Sequence, residues 1–196
     1  MRERIIEQVR QALRDRPRAP HPGELSTAVP DAPEPVEHFA ECFRAAGGEV
    51  HRFADADAAL RWLHGFAARF ASVSHGTGVP RVLALPAPEA PPREAALGVS
   101  VARAAAAQSG SLVLSSRDGR RTQLLPPVHV VLVDAGTVAA TLGEALAGCR
   151  DDGGAALALH SGPSKSADIG QVMVTGVHGP GRVIALLLDR WPEPAP

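Results

Sequence analysis

The sequence predicts an α/β layered domain, and three observations carry that prediction. Strand-like and helix-like stretches alternate through most of its 196 residues, the pattern of a sheet covered by helices. The run 128–133 is mostly β-branched and apolar except for His129, which suits a strand buried on both faces, as in parallel architectures. A second apolar run, 183–188, has the same character. The length fits one domain with room for an appendage, and 45% hydrophobic against 21% charged residues is ordinary for a chain that buries a core.

Residues 1–14 carry Ile5, Ile6, Val9 and Leu13 at helical spacing between charged residues, an amphipathic helix. Prolines at 17, 20, 22, 30, 33 and 35, with few large apolar side chains among them, make the following stretch an extended linker. Residues 1–35 are therefore read as an appendage and 36–196 as the main domain. The appended helix is expected to pack on its own domain, with docking on a partner as the alternative.

A helix over 36–46 should end at Gly47-Gly48, glycines suited to a left-handed C-terminal cap. A short strand over 49–53 follows, then a helix over 58–70, N-capped by Asp55 or Asp57, with Leu60, Leu63, Phe66, Ala67 and Phe70 near one face. His75-Gly-Thr-Gly-Val-Pro80 reads as a loop, residues 81–85 as a strand, and 86–92 as a break. The loop lacks the downstream glycine and the lysine-plus-hydroxyl ending of a nucleotide-binding motif, so it is not expected to bind phosphate.

Residues 104–107, the turn Gln108-Ser-Gly-Ser111 and residues 112–115 read as a hairpin. Alternatively, Ser109 and Gly110 let a ligand approach the backbone closely. A charged turn at 117–121 leads into the buried strand, a helix over 137–147 stops at Gly148, and strands over 155–159 and 183–188 complete the domain.

Twenty basic and twenty-one acidic side chains give a net charge of −1, without the electrostatic footprint of a nucleic-acid binder. The apolar runs are too short to span a bilayer and the N-terminus lacks a signal-peptide core, which makes a cytoplasmic location the default expectation. Cys42 and Cys149 are far apart, and with no Cys-x-x-Cys spacing neither a cysteine-ligated cluster nor a structural metal is expected in this chain. Both read as small buried hydrophobes.

The chemistry concentrates between His160 and Asp189. A turn of small polar residues is expected to open into a short helix over 166–171, whose free N–H groups and positive dipole end would meet the Lys165 cation on a carboxylate or phosphate. Gly162 permits the tight turn and Pro163 fixes φ there. The hydroxyls of Ser161, Ser164 and Ser166 add donors, and Asp168 either binds a ligand hydroxyl or favours the first helical turn. His178 and His129 are the candidate proton carriers, because only histidine ordinarily titrates near neutrality. His178 lies between Gly176 and Gly179, whose lack of side chains brings the backbone near a ligand. His129, in its apolar strand, reads also as a hydrogen-bonded core residue. Arg120 or Arg121 either adds a second cation or stays solvated, and His160 is a further candidate.

Three stretches, Leu124-Leu-Pro-Pro-Val-His-Val130, Ser161-Gly-Pro-Ser-Lys-Ser-Ala-Asp-Ile169 and Gly176-Val-His-Gly-Pro180, together resemble the lactate-utilisation protein C family, the LUD domain. The resemblance runs from about residue 36 to 189. It implies a three-layer α/β/α sandwich around a mostly parallel sheet, like that of the NagB/RpiA/CoA-transferase superfamily. It also implies a part in oxidising L-lactate to pyruvate beside two partner proteins that carry iron–sulfur clusters. Electrons would then pass through those partners or an unidentified small-molecule cofactor. The family pattern has arginine at the position of Lys165 and a Glu-Thr-Gly-Thr-like turn at Gln108-Ser-Gly-Ser111. Lysine keeps the charge but loses the bidentate fork, and glutamine cannot be a general base. Three functions stay open: a non-cluster subunit binding a small anionic ligand, an independent enzyme acting on a sugar phosphate or acyl-CoA, and a non-catalytic metabolite-binding module.

Overall fold

Five parallel strands, residues 49–53, 182–188, 128–134, 97–101 and 73–75 in that spatial order, form the centre of the molecule. The computed structural model describes residues 2–14, 34–83, 85, 88–167 and 173–192. In chain order these form α1 (Arg2–Arg14), α2 (Pro35–Ala45), β1 (Glu49–Phe53), α3 (Ala56–Ala67), β2 (Val73–His75), β3 (Leu97–Val101), β4 (Ala104–Ala106), β5 (Ser111–Ser115), α4 (Arg120–Leu124), β6 (Val128–Asp134), β7 (Val138–Ala139), α5 (Leu142–Ala147), β8 (Leu157–His160), β9 (Lys165–Ala167), β10 (Met173–Thr175) and β11 (Arg182–Leu188).

The two apolar runs are neighbours at the heart of this sheet: β11 pairs with β6 in parallel, Val183 beside His129 and Leu187 beside Val133. Both faces are covered, as the unbroken apolar pattern requires. On one face Ala59, Leu63, Phe66 and Ala67 of α3 pack against Val130, Leu132, Ile184 and Leu186. On the other, Phe39 and Phe43 of α2 meet Val131, Val133, Ala185 and Leu187. Asp55 caps α3 by accepting from the Ala58 N–H at 3.0 Å, and Gly47, with φ +92°, terminates α2 as expected.

The α/β class and the mostly parallel sheet are thus as the sequence predicts, with one addition. A second sheet, β7-β4-β5-β8, shares the face covered by α2, burying Ala105, Leu112 and Leu114 against the central sheet. Its outer face receives α5, whose Ala145 packs with Ala104, Ala106 and Val113.

Three local expectations are corrected. Residues 81–83 form a 3-10 turn, not a strand, because Leu83 tucks beneath α3 and the sheet edge is taken by β2. The helix expected over 137–147 starts only at Leu142, since Val138 pairs with Ala105 in the second sheet. Its start is fixed by a capping box in which Thr141 and Glu144 exchange side-chain and backbone bonds, a Thr-x-x-Glu signature visible in the sequence. Ser166 and Ala167, the expected start of a helix over 166–171, lie instead in β9, where Ser166 pairs with Val174 of β10; residues 168–171 lie outside the described residues. Helix α1 forms as expected, with Ile5, Ile6 and Val9 55%, 39% and 52% exposed. Cys149 is buried, Cys42 half-buried, and both thiols are free.

Candidate functional site

Where β8 ends, the chain turns sharply through Ser161 to Ser164 and meets the loop that precedes β11. Gly162 sits at φ +98°, and a Cβ there would come within 2.9 Å of the Ala46 carbonyl oxygen, so this turn demands glycine. The turn is stitched to the opposite loop by two backbone bonds: Ser164 N–H donates to the Pro180 carbonyl, and Gly176 N–H to the Ser164 carbonyl, each at 2.9 Å. Between them lies a pocket of ≈ 310 Å³. Its polar lining is His160, Ser161, Ser164 and His178, and its apolar wall is Leu124, Leu159, Pro180 and Val183.

The pocket opens at the amino ends of β6 and β11. Open parallel sheets usually bind ligands beyond the carboxyl ends of their strands. Here the second sheet supplies the site, through the end of β8.

A chain of hydroxyls runs into this pocket from the β4–β5 hairpin. Ser109 Oγ lies 2.8 Å from Ser111 Oγ, which lies 2.6 Å from Ser161 Oγ. Ser111 is buried and Ser161 exposed, so Ser111 holds Ser161 in place at the pocket. Behind the pocket His129 is wholly buried, its Nε2 2.6 Å from Ser100 Oγ, and its ring stands edge-on to His160 with centroids 5.8 Å apart. Its Nδ1 has no hydrogen-bond partner. Burial pushes the His129 pKa down to about 3, helped by the neighbouring His160, and burial lowers that of His160 too. Both rings are therefore neutral at pH 7, and of the two only His160 lines the pocket.

Ser161, Gly162, Ser164, His178 and Gly179 thus come together around one cavity, as their order in the sequence suggests. Gly176 supports it through its bond to Ser164. Ser166 lies on β9, outside the lining, and Asp168 lies outside the described residues. Lys165 donates from Nζ to the Ala46 carbonyl at the end of α2. Arg120 is exposed beside Arg121 on a separate ≈ 290 Å³ hollow, which shares only Leu124 with the pocket. Gly110, at φ +56°, has its absent side chain filled by α2: a Cβ would lie 2.5 Å from the Phe43 backbone nitrogen. His160, only a weak candidate in the sequence, lines the pocket from the end of β8. Among the described residues no group of three or more His, Cys, Asp or Glu is placed to hold a metal ion.

The His75-Gly-Thr-Gly loop is fastened by a carboxylate. Asp118 accepts from the Val101 N–H at 2.8 Å and from the Gly78 N–H, and Thr77 Oγ1 donates to the Arg117 carbonyl. A Cβ on Gly76 would sit 2.5 Å from both Asp118 oxygens. Gly76→Ala is expected to cost about 1–3 kcal/mol by overpacking, read from the urea midpoint.

An open parallel sheet, flanked by helices and joined by a second sheet that builds a small polar pocket, defines an α/β protein. Residues 93–188 match the LUD domain family model. Lactate utilization protein C of Bacillus pumilus is 41% identical over 91 residues, 42% of this chain and 38% of that protein. Its namesake from Bacillus subtilis is 32% identical over 104 residues, 49% and 43% of the two chains. In each case the match spans about two fifths of the relative's length. The crystal structure of a DUF162 family protein from Deinococcus radiodurans superimposes with a TM-score of 0.58 at 17% identity, covering 80% of this chain and 98% of that one, and shows the same fold. Over residues 93–188, about half of its length, the chain is similar to the LUD domain family, and the relatives it matches there are named lactate utilization protein C. No helix among the described residues is long and apolar enough to cross a membrane.

Proposed function

We propose that this chain is the non-cluster component of an L-lactate utilisation system, working beside iron–sulfur partner proteins and binding a small anionic molecule in the His160–His178 pocket. The observation that carries this reading is that every residue lining the pocket, from Leu124 to Val183, falls inside the span matched by the LUD domain model. The relatives' name supplies lactate, and the pocket supplies chemistry suited to a short 2-hydroxy acid or a phosphorylated cofactor. Its hydroxyls donate to carboxylate or phosphate oxygens, and the neutral His160 imidazole accepts from a ligand hydroxyl. No carboxylate lines the described pocket to repel an anion.

Thermal shift of the full chain against L-lactate, pyruvate, sugar phosphates, nucleotides and acyl-CoA tests the ligand. A true ligand at a hundred times its Kd adds about 2.7 kcal/mol. Ser161→Ala and His178→Ala should lose the shift while Lys165→Ala keeps it, because the lysine is occupied at Ala46. A shift that survives both pocket variants, or none from any compound, overturns the binding half. Affinity capture from lactate-grown cells tests the assembly half: absence of iron–sulfur proteins, followed by their visible absorbance, overturns it.

A further inference from the structure

The second sheet has an unfinished outer layer. Along β5 and β8, Val113 pairs with Leu159 and Ser115 with Leu157, so Leu157, Leu159 and Val113 point to the same face. Val113 is wholly buried beneath α5, whereas Leu159 and Leu157 on the next strand are 46% and 37% exposed. Helix α5, only six residues long, covers β4 and β5 and stops. β8 is also the edge of its sheet, a position that proteins commonly cover.

The same chain contains a helix without a surface. α1 presents Ile5, Ile6 and Val9 to solvent, and an isolated helix of 13 residues is marginal in water unless its apolar face is packed. Twenty residues, 15–34, separate α1 from α2. At about 3.5 Å each they can reach roughly 70 Å, beyond the roughly 40 Å width of a domain this size. Tethering also keeps the helix at an effective concentration in the millimolar range.

We propose that α1 docks through Ile5, Ile6 and Val9 onto the outer face of β8 in the same chain, covering Leu157 and Leu159 and completing the layer that α5 begins. Because Leu159 also walls the pocket, the docked helix forms part of the pocket's surroundings.

Amide hydrogen exchange of the full chain, followed by mass spectrometry at two protein concentrations tenfold apart, tests this. The amides of α1 should exchange at least tenfold more slowly than those of an unstructured peptide, equally at both concentrations. Leu157→Glu should release that protection, and Val9→Glu should speed exchange in 157–160, both without shifting the exchange of β6 and β11. Unprotected α1 amides overturn the proposal, as does protection unchanged in Leu157→Glu. Protection that grows with concentration overturns it in favour of docking on a second copy.

Discussion

Gly110→Ala should destabilise the protein by about 2–5 kcal/mol, combining roughly 1–2 kcal/mol for a left-handed alanine with about 1–3 kcal/mol of overpacking. Gly110 has φ +56°, and an added methyl would lie 2.5 Å from the Phe43 nitrogen and 2.6 Å from the Cys42 carbonyl carbon. Those atoms belong to the backbone of α2 and cannot turn aside as a side-chain tip can. Relief requires α2 to lift, and α2 carries Phe39 and Phe43, both fully buried and stacked 5.5 Å apart over the central sheet. Gly119→Ala is the matched control: its φ is +88°, yet its nearest atom is Thr122 Oγ1 at 3.6 Å, so it should show the backbone cost alone. Urea unfolding of the two variants separates the effects. Equal losses would mean that α2 does not press on the hairpin, and that the glycine there answers to something else.

That turn also shows how far the sequence could be read. Small residues around Gly110 signal a close approach, but not what approaches, because α2 lies some seventy positions earlier in the chain. The strands β6 and β11 were legible because burial on both faces leaves an unbroken apolar run. Central strand β3 was not, since its Gly98 and Ser100 dilute the pattern. Both have tertiary causes: a Cβ on Gly98 would meet the Thr122 carbonyl at 2.4 Å, and Ser100 bonds His129. In the site, Ser161, Gly162 and Ser164 were legible because turn chemistry is local. The helix expected after them was not formed because Ser166 and Lys165 find strand partners in Val174 and Thr175, a pairing that local composition does not encode. Lys165 in turn looked available for a ligand, whereas its partner is Ala46, 119 residues away.

Lowering the pH from 6.5 to 4.5 should cost the fold roughly 2–3 kcal/mol through His129 alone, at about 1.4 kcal/mol per pH unit. The sign follows from burial. The native pKa of His129 is pushed down to about 3 from an ordinary 6.5, so between those values the unfolded chain binds a proton that the native chain refuses. Stability therefore rises with pH across that window and is flat, for this group, above it. His160, His75 and His51 are depressed by burial as well and add to the slope, while the buried Asp118 carboxyl, raised by desolvation, opposes it. The His129 share is isolated by subtraction. His129→Gln carries no titrating group and keeps a side-chain amide within reach of Ser100, so its stability should depend on pH less steeply than that of the wild type, whatever its absolute value at pH 7. Urea midpoints measured at half-unit steps from pH 4.5 to 7.5 give both slopes. Parallel curves would show that His129 accepts a proton in the native state, and would restore it as a proton carrier behind His160 in the pocket.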